Sequence, residues 1–254
     1  MNQIIKVNNV TKIYGTKLNK TTALTNINFE ISKGEFVGIM GPSGSGKSTL
    51  LNVISTIDKT TSGNISYEGK DITTLKQNEL SDFRRNELGF IFQDFNLLDT
   101  LTVEENIILP LAISRINIKE INKRLLEVTN ILGINDILKK FPYEISGGQK
   151  QRTAAARAII NNPKLVLADE PTGALDSKAS AGLLSCMKKL NKDYNSTILM
   201  VTHDAFAASY CDRILFIKDG NIYSELVSNG VRKEFYNKII DVLAMMGGDL
   251  NDVL

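Results

Sequence analysis

Residues 36–49 read Phe36-Val37-Gly38-Ile39-Met40-Gly41-Pro42-Ser43-Gly44-Ser45-Gly46-Lys47-Ser48-Thr49. The first five are a continuous apolar run, the pattern of a strand buried on both faces. From Gly41 to Ser48 the chain fits G-x-x-x-x-G-K-[ST] in full, and Leu50 to Ile57 then reads as a helix. Glycines let successive backbone N–H groups turn inward around phosphate oxygens, in conformations costly for residues that carry a side chain. The helix behind the loop adds its positive N-terminal end. Lys47 is placed to reach the β- and γ-phosphates, and the Ser48 hydroxyl to bind Mg2+. A glycine turn without a ligand is the plainer alternative. The position between a buried strand and a helix favours a phosphate cradle.

Two further apolar segments end in polar tips. Leu165-Val166-Leu167-Ala168 runs into Asp169 and Glu170, and Ile198-Leu199-Met200-Val201 runs into Thr202, His203 and Asp204. Apolar strand, polar tip, then helix is the pattern of a parallel α/β sheet, whose ligands sit beyond the carboxyl ends of the strands. Asp169 at such a tip can hold the magnesium through water, and Glu170 can polarise an attacking water as general base. A solvated acidic pair opening a turn at Pro171 is the alternative, and the cradle upstream argues against it.

The rest of the chain frames this core. Ile4, Val7 and Val10 mark a first strand, and Leu24, Ile27, Phe29 and Ile31 a half-buried second one. Between Lys119 and Leu132, the apolar residues Ile121, Leu125, Val128 and Leu132 recur at helical spacing. Ser146 is a good N-cap for a following helix rich in alanine, Ala154 to Ala156 and Ala158. The 254 residues are 43% hydrophobic and 23% charged with a net charge of +2, an ordinary soluble composition without the basic bias that nucleic-acid binding needs. Cys186 and Cys211 have no metal-like spacing and read as plain thiols. The N-terminus lacks a signal-peptide core, and no stretch approaches the ~18 apolar residues of a membrane span. The expected location is therefore the cytoplasm.

Many protein classes carry a phosphate loop; Ile145-Ser146-Gly147-Gly148-Gln149 narrows the choice. Here the chain resembles the ABC ATPase family, whose signature is usually LSGGQ, with Ile in the first place. The resemblance covers nearly the whole chain. It implies a P-loop NTPase of α/β class with a RecA-like core, an N-terminal antiparallel β subdomain and a helical signature subdomain. The ATPase domain is expected over 1–230, with the helical subdomain inserted at about 95–160, and a C-terminal amphipathic helix and tail over 231–254.

The same resemblance implies a set of roles. Tyr14 falls where the family stacks an aromatic on adenine. Gln93, after Phe90-Ile91-Phe92, matches the glutamine that touches magnesium and water and reports to the membrane subunit. Asp176, in Ala174-Leu175-Asp176, lies in the loop that crosses the dimer interface. His203, the only histidine, matches the switch residue at the γ-phosphate. The ATP-binding set is then Tyr14, Gly41, Pro42, Ser43, Gly44, Ser45, Gly46, Lys47, Ser48 and Thr49, with Ser146, Gly147, Gly148, Gln149 and Asp176. Catalysis falls to Glu170, His203, Lys47 and Gln93, and Mg2+ to Ser48, Gln93 and Asp169. Two copies would pack head to tail, each ATP lying between the loop of one and Ser146 to Gln149 of the other.

Residues 79–110, ELSDFRRNELGFIFQDFNLLDTLTVEENIILP, look like the branch serving macrolide export, lipoprotein release and antimicrobial-peptide resistance. That branch pairs with permeases of the mechanotransmitting type. Three features resemble the bacitracin-type members: the extra Lys17-Leu18-Asn19-Lys20, the run from Asp169 to Lys178, and the tail beyond Val231. In that tail Val231, Phe235, Ile239, Val242 and Met246 form an apolar stripe, read first as docking on the chain's own domain. A sensor histidine kinase is a further expected partner, and nucleic acid is not. The location implied is the inner face of the cell membrane, reached through the permease. The alternatives are a lipoprotein-release, macrolide-export or cell-division ATPase, and a soluble ABC protein of translation or DNA repair. The single phosphate loop and the lack of a long heptad tract count against the last.

Overall fold

A computed structural model describes residues 3–16 and 19–247. In chain order the elements are β1 (Gln3–Thr16), β2 (Asn19–Ser32), β3 (Phe36–Met40), α1 (Lys47–Ile54), β4 (Ser62–Tyr67), β5 (Lys70–Asp71), α2 (Gln77–Glu87), β6 (Leu88–Ile91) and α3 (Val103–Ile113). There follow α4 (Ile118–Leu132), α5 (Gly147–Ile159), β7 (Leu165–Asp169), α6 (Ser177–Tyr194), β8 (Thr197–Val201), α7 (Ala205–Ala208), β9 (Arg213–Lys218), β10 (Asn221–Val227) and α8 (Arg232–Gly247). The chain divides into two compact units. One takes in the chain up to Thr74 and again from Met200 onward; the other is Leu75–Leu199.

The first unit contains an antiparallel sheet in the order β2-β1-β4-β5, in which Val7 faces Phe29 on one side and Ile65 on the other. Leu24 and Ile27 are both buried although three residues apart, which strict alternation forbids. The register shifts there, and Asn26 takes φ 49, a left-handed conformation asparagine tolerates. The same unit pairs β3 in parallel with β9, Ile39 opposite Leu215, and β9 antiparallel with β10. All five residues of β3 are buried, as its unbroken apolar run requires. Helix α1 starts at Lys47 and stops at Ile54, short of the Ile57 expected from sequence. Thr56 turns left-handed at φ 60, which ends the helix and leaves Ile57 exposed.

Helix α8 docks on this unit. Phe235 and Ile239 are fully buried and Met246 nearly so, each large side chain contributing about 1.5–3 kcal/mol. Lys218 Nζ donates to the Met246 carbonyl at 3.0 Å, and the Arg232 guanidinium lies 4.5 Å from the Tyr210 ring centroid. The stripe is narrower than expected. Val231 precedes the helix and is exposed, and Val242 is only half buried. Of the extra segment, Asn19 and Lys20 pair with Thr16 and Gly15, while Lys17 and Leu18 lie outside the described residues, as do residues 248–254 of the tail.

The second unit pairs β6 in parallel with β7, Leu88 opposite Leu165 and Ile91 opposite Ala168. Helices α3 and α4 pack on α5. The α4 stripe is as the spacing predicts, with Ile121, Leu125, Val128 and Leu132 buried and Asn117 capping the start. Thr102 and Glu105 form a capping box that opens α3, which runs through Pro110 to Ile113. Among the described residues no helix is long and apolar enough to cross a membrane.

Candidate functional site

In the first unit the Gly41–Thr49 loop joins β3 to α1. A Cβ on Gly41 would lie 2.0 Å from the Ile217 carbonyl oxygen, and one on Gly46, at φ 103, would lie 2.4 Å from that of Ala23. Only glycine permits the loop to press so closely on its neighbours. The turn between β9 and β10 braces it further: Gly220 N donates to Ser45 O at 3.1 Å, and Thr25 N to Gly220 O at 2.8 Å. Lys47, buried, donates from Nζ to Gly41 O at 2.9 Å and to Pro42 O at 2.8 Å. The Ser45 hydroxyl is buried with no hydrogen-bond partner, and Gly46 supplies no side-chain cap to α1. A cation, an unsatisfied hydroxyl and an uncapped helix start together make an anion receptor that fits a polyphosphate. Ser48 is exposed and Thr49 half-exposed on the first turn of α1.

Tyr14 lies near the end of β1, 39% exposed as a residue, with its hydroxyl donating to Asp58 Oδ2 at 2.7 Å. His203 is exposed just past β8. Its predecessor Thr202 donates its N–H to Ile39 O at 3.1 Å, two residues before Gly41. Its successor Asp204 caps α7 by accepting from Phe206 N. The switch candidate is thus held between the end of a core strand and a helix cap.

In the second unit Asp169 ends β7, and Glu170 follows at φ 44, a left-handed position unusual for glutamate. The turn closes with Gly173 N donating to Glu170 O at 3.0 Å. Gln93, exposed after β6, lies against this turn: a Cβ on Gly173 would be 3.2 Å from its Cδ and Nε2. Gln93 and the turn beyond Glu170 are therefore brought together.

The signature residues cap their own helix. Gln149 N donates to Ser146 Oγ at 3.3 Å, and Ser146 N to Gln149 Oε1 at 3.0 Å, a reciprocal capping box. Gly148 meets the start of α6, where a Cβ would lie 2.8 Å from Ala179 Cβ. Asp176 caps α6 through Oδ1, accepting from Ala179 N at 2.8 Å. Its carboxylate thus has a structural task within this chain.

Sequence reasoning missed three residues here. Gln151, fully buried on α5, donates from Nε2 to Phe92 O at 3.0 Å and to Pro171 O at 2.8 Å. One amide ties the residue before Gln93 to the residue after Glu170. Arg157 donates to Asn96 O at 2.6 Å and Phe95 O at 2.9 Å, holding two consecutive left-handed residues just beyond Gln93. Burial pushes its guanidinium below the ordinary arginine value. Asp58 is the partner of Tyr14. The only sequence signal for Gln151 was an uncharged polar residue inside an alanine-rich helix.

A buried strand, a glycine loop with a buried lysine and a helix start define the chain as a P-loop nucleotide-binding protein. A family model described as ABC transporter matches residues 24–173, from β2 through the turn that closes on Gly173. The chain is 53% identical over 98% of its length to the bacitracin export ATP-binding protein BceA of Halalkalibacterium halodurans, covering 99% of that protein. It is 49% identical to the ABC transporter ATP-binding protein YxdL of Bacillus subtilis, over 100% of this chain and 98% of that one. Among solved structures, the dimeric ATP-binding cassette MJ0796 bound to ADP and Pi matches with TM-score 0.82 and 42% identity, covering 90% of this chain and 100% of that one. The chain belongs to the ABC transporter family, as its ATP-binding and ATP-hydrolysing subunit.

Proposed function

We propose that this ATPase drives a peptide-antibiotic transporter of the bacitracin type. The observation that carries the reading is the 53% identity that runs almost end to end along both this chain and the bacitracin export ATP-binding protein. The macrolide export ATP-binding/permease protein MacB of Mannheimia succiniciproducens is 41% identical over 92% of this chain, but the match spans only 36% of that longer protein. MacB is by its name an ATP-binding and permease protein, and an integral-membrane permease of the mechanotransmitting type is the partner in this reading. Through it the ATPase sits at the inner face of the cell membrane, and a sensor histidine kinase joins the same complex.

The roles follow from the donor sets. Lys47 exchanges its two loop carbonyls for the β- and γ-phosphates, and Ser45 and the α1 N–H groups complete the cradle. Ser48, Asp169 and Gln93 are the residues that would hold Mg2+. Among the described residues no three His, Cys, Asp or Glu side chains gather as a metal site. A magnesium ion at bound phosphates takes most of its oxygens from phosphates and water. Magnesium supplies neutralisation of charge on the phosphates. Glu170 polarises the water, His203 senses the γ-phosphate, and Tyr14 stacks on the adenine. The Ser146–Gln149 helix start of a second copy completes each site, with Asp176 in the adjoining loop.

The test is co-purification of the Glu170→Gln variant with ATP from detergent-solubilised membranes, together with bacitracin susceptibility of cells carrying Lys47→Ala. A ten-span permease in the eluate and sensitised cells are expected. Ribosomes or DNA in place of a permease, or unchanged susceptibility, would refute the assignment.

A further inference from the structure

The base platform stands on a polar scaffold of its own. Tyr14 ends a β1 segment that also contains Lys12, which is buried at 8% exposure. The Lys12 ammonium lies 4.6 Å from the Tyr14 ring centroid, covering one face of the ring, and donates to Asp58 Oδ1 at 2.7 Å and to Lys59 O at 2.8 Å. The second oxygen of Asp58 accepts from the Tyr14 hydroxyl at 2.7 Å. One carboxylate therefore fixes both the ring's edge and the cation on its face.

Asp58 is itself anchored to the phosphate helix and to β1. Its N–H donates to Asn52 O of α1 at 3.1 Å. Thr61, three residues on, donates its N–H to Thr11 O at 2.8 Å and accepts from Ile13 N at 2.9 Å, pinning the 58–61 loop to β1 beside Lys12. The aromatic ring and the phosphate cradle are thus locked in register through α1.

The geometry points to Asp58 and Lys12 as positioning residues that hold Tyr14 at a fixed span from the phosphate cradle and so select a nucleoside triphosphate over a bare polyphosphate. This rests on the reading of Tyr14 as the base platform. With one ring face under Lys12, the base stacks on the other, as offset aromatic pairs do. Burial and the Asp58 hydrogen bond push the Tyr14 phenol above its ordinary value, so it remains the donor at physiological pH. Burial pushes the Asp58 carboxyl up, but the bonds from Lys12 and Tyr14 outweigh it and leave the group lowered and ionised.

The test compares ATP with inorganic tripolyphosphate by calorimetry on the full chain. Tyr14→Phe removes only the hydroxyl and keeps the apolar ring, so it guards against misfolding of Asp58→Ala. Both variants should weaken ATP roughly three- to ten-fold, the worth of one aromatic stack, and leave tripolyphosphate unchanged. Tyr14→Ala should lose the whole preference, and Asp58→Ala added to it should cost nothing more. Equal weakening of both ligands in Asp58→Ala, additive losses in the double variant, or wild-type ATP affinity in Tyr14→Phe would overturn the positioning role. Wild-type ATP affinity in Tyr14→Ala would instead sink the base platform, and the proposal with it.

Discussion

Gln151 Nε2 donates at 2.8 Å to the carbonyl of Pro171, the residue that follows Glu170, and its other hydrogen reaches Phe92 O, next to Gln93. A single buried amide sets the spacing of two turns whose side chains are candidates for catalysis. Gln151→Leu keeps the volume but removes both donors. Steady-state kinetics should show kcat falling about ten-fold or more with the KM for ATP nearly unchanged, since misplacement of reacting groups acts on the chemical step. The buried Pro171 carbonyl left without its donor should cost about 1–3 kcal/mol of stability, readable by denaturant titration. A variant with wild-type kcat would show that the two turns hold themselves.

Lys47 is poised between two states, donating to Gly41 and Pro42 carbonyls in the structure and to phosphates in the proposed complex. Lys47→Ala removes a charge-assisted contact worth about 1.5–3 kcal/mol. Calorimetry should find ATP affinity reduced roughly 10- to 100-fold with the fold intact by circular dichroism. Unchanged affinity would contradict the cradle.

Gly148 faces Ala179 so closely that an added Cβ would stand 2.8 Å from it. Gly148→Ala should push the α5 start away from the Asp176-capped start of α6, at a cost of about 1–3 kcal/mol. Nucleotide binding by the separate chain should persist while hydrolysis is lost. Retained turnover would mean that the signature glycine serves packing alone.

Cys186 is half buried, and burial raises its thiol above the usual value, only partly offset by Arg152 and Lys189. The thiolate is the reactive form, so Cys186 should be slow to label at neutral pH. The rate should rise as pH passes the raised value and jump when urea removes the burial. Rapid labelling of the native protein at pH 7 would refute this.

Much of the core was legible because its signals are local. The unbroken run of β3, the glycine loop and the helical spacing of Ile121 to Leu132 each fix one conformation by short-range rules. Ser146 was readable as an N-cap for the same reason, and Gln149 completed its box. What escaped depends on contacts distant in sequence. Gln151 reaches Phe92 across 59 residues, and Lys12 reaches Asp58 across 46. Neither has a periodic or motif signature. Helix boundaries are not local in the same way: one backbone angle at Thr56 ends α1, and the buried stripe of α8 begins at Phe235, not Val231.

The most direct test of the central claim is the mass of Glu170→Gln in solution with Mg2+ and ATP, by size exclusion with light scattering, beside its hydrolysis rate. If Glu170 is the general base and ATP is held between two copies, turnover falls sharply and the protein runs at about twice the 28.1 kDa of the chain, reverting to one copy when ATP is removed. A variant that binds ATP yet stays at the mass of one chain, or hydrolyses it at the wild-type rate, would contradict the account.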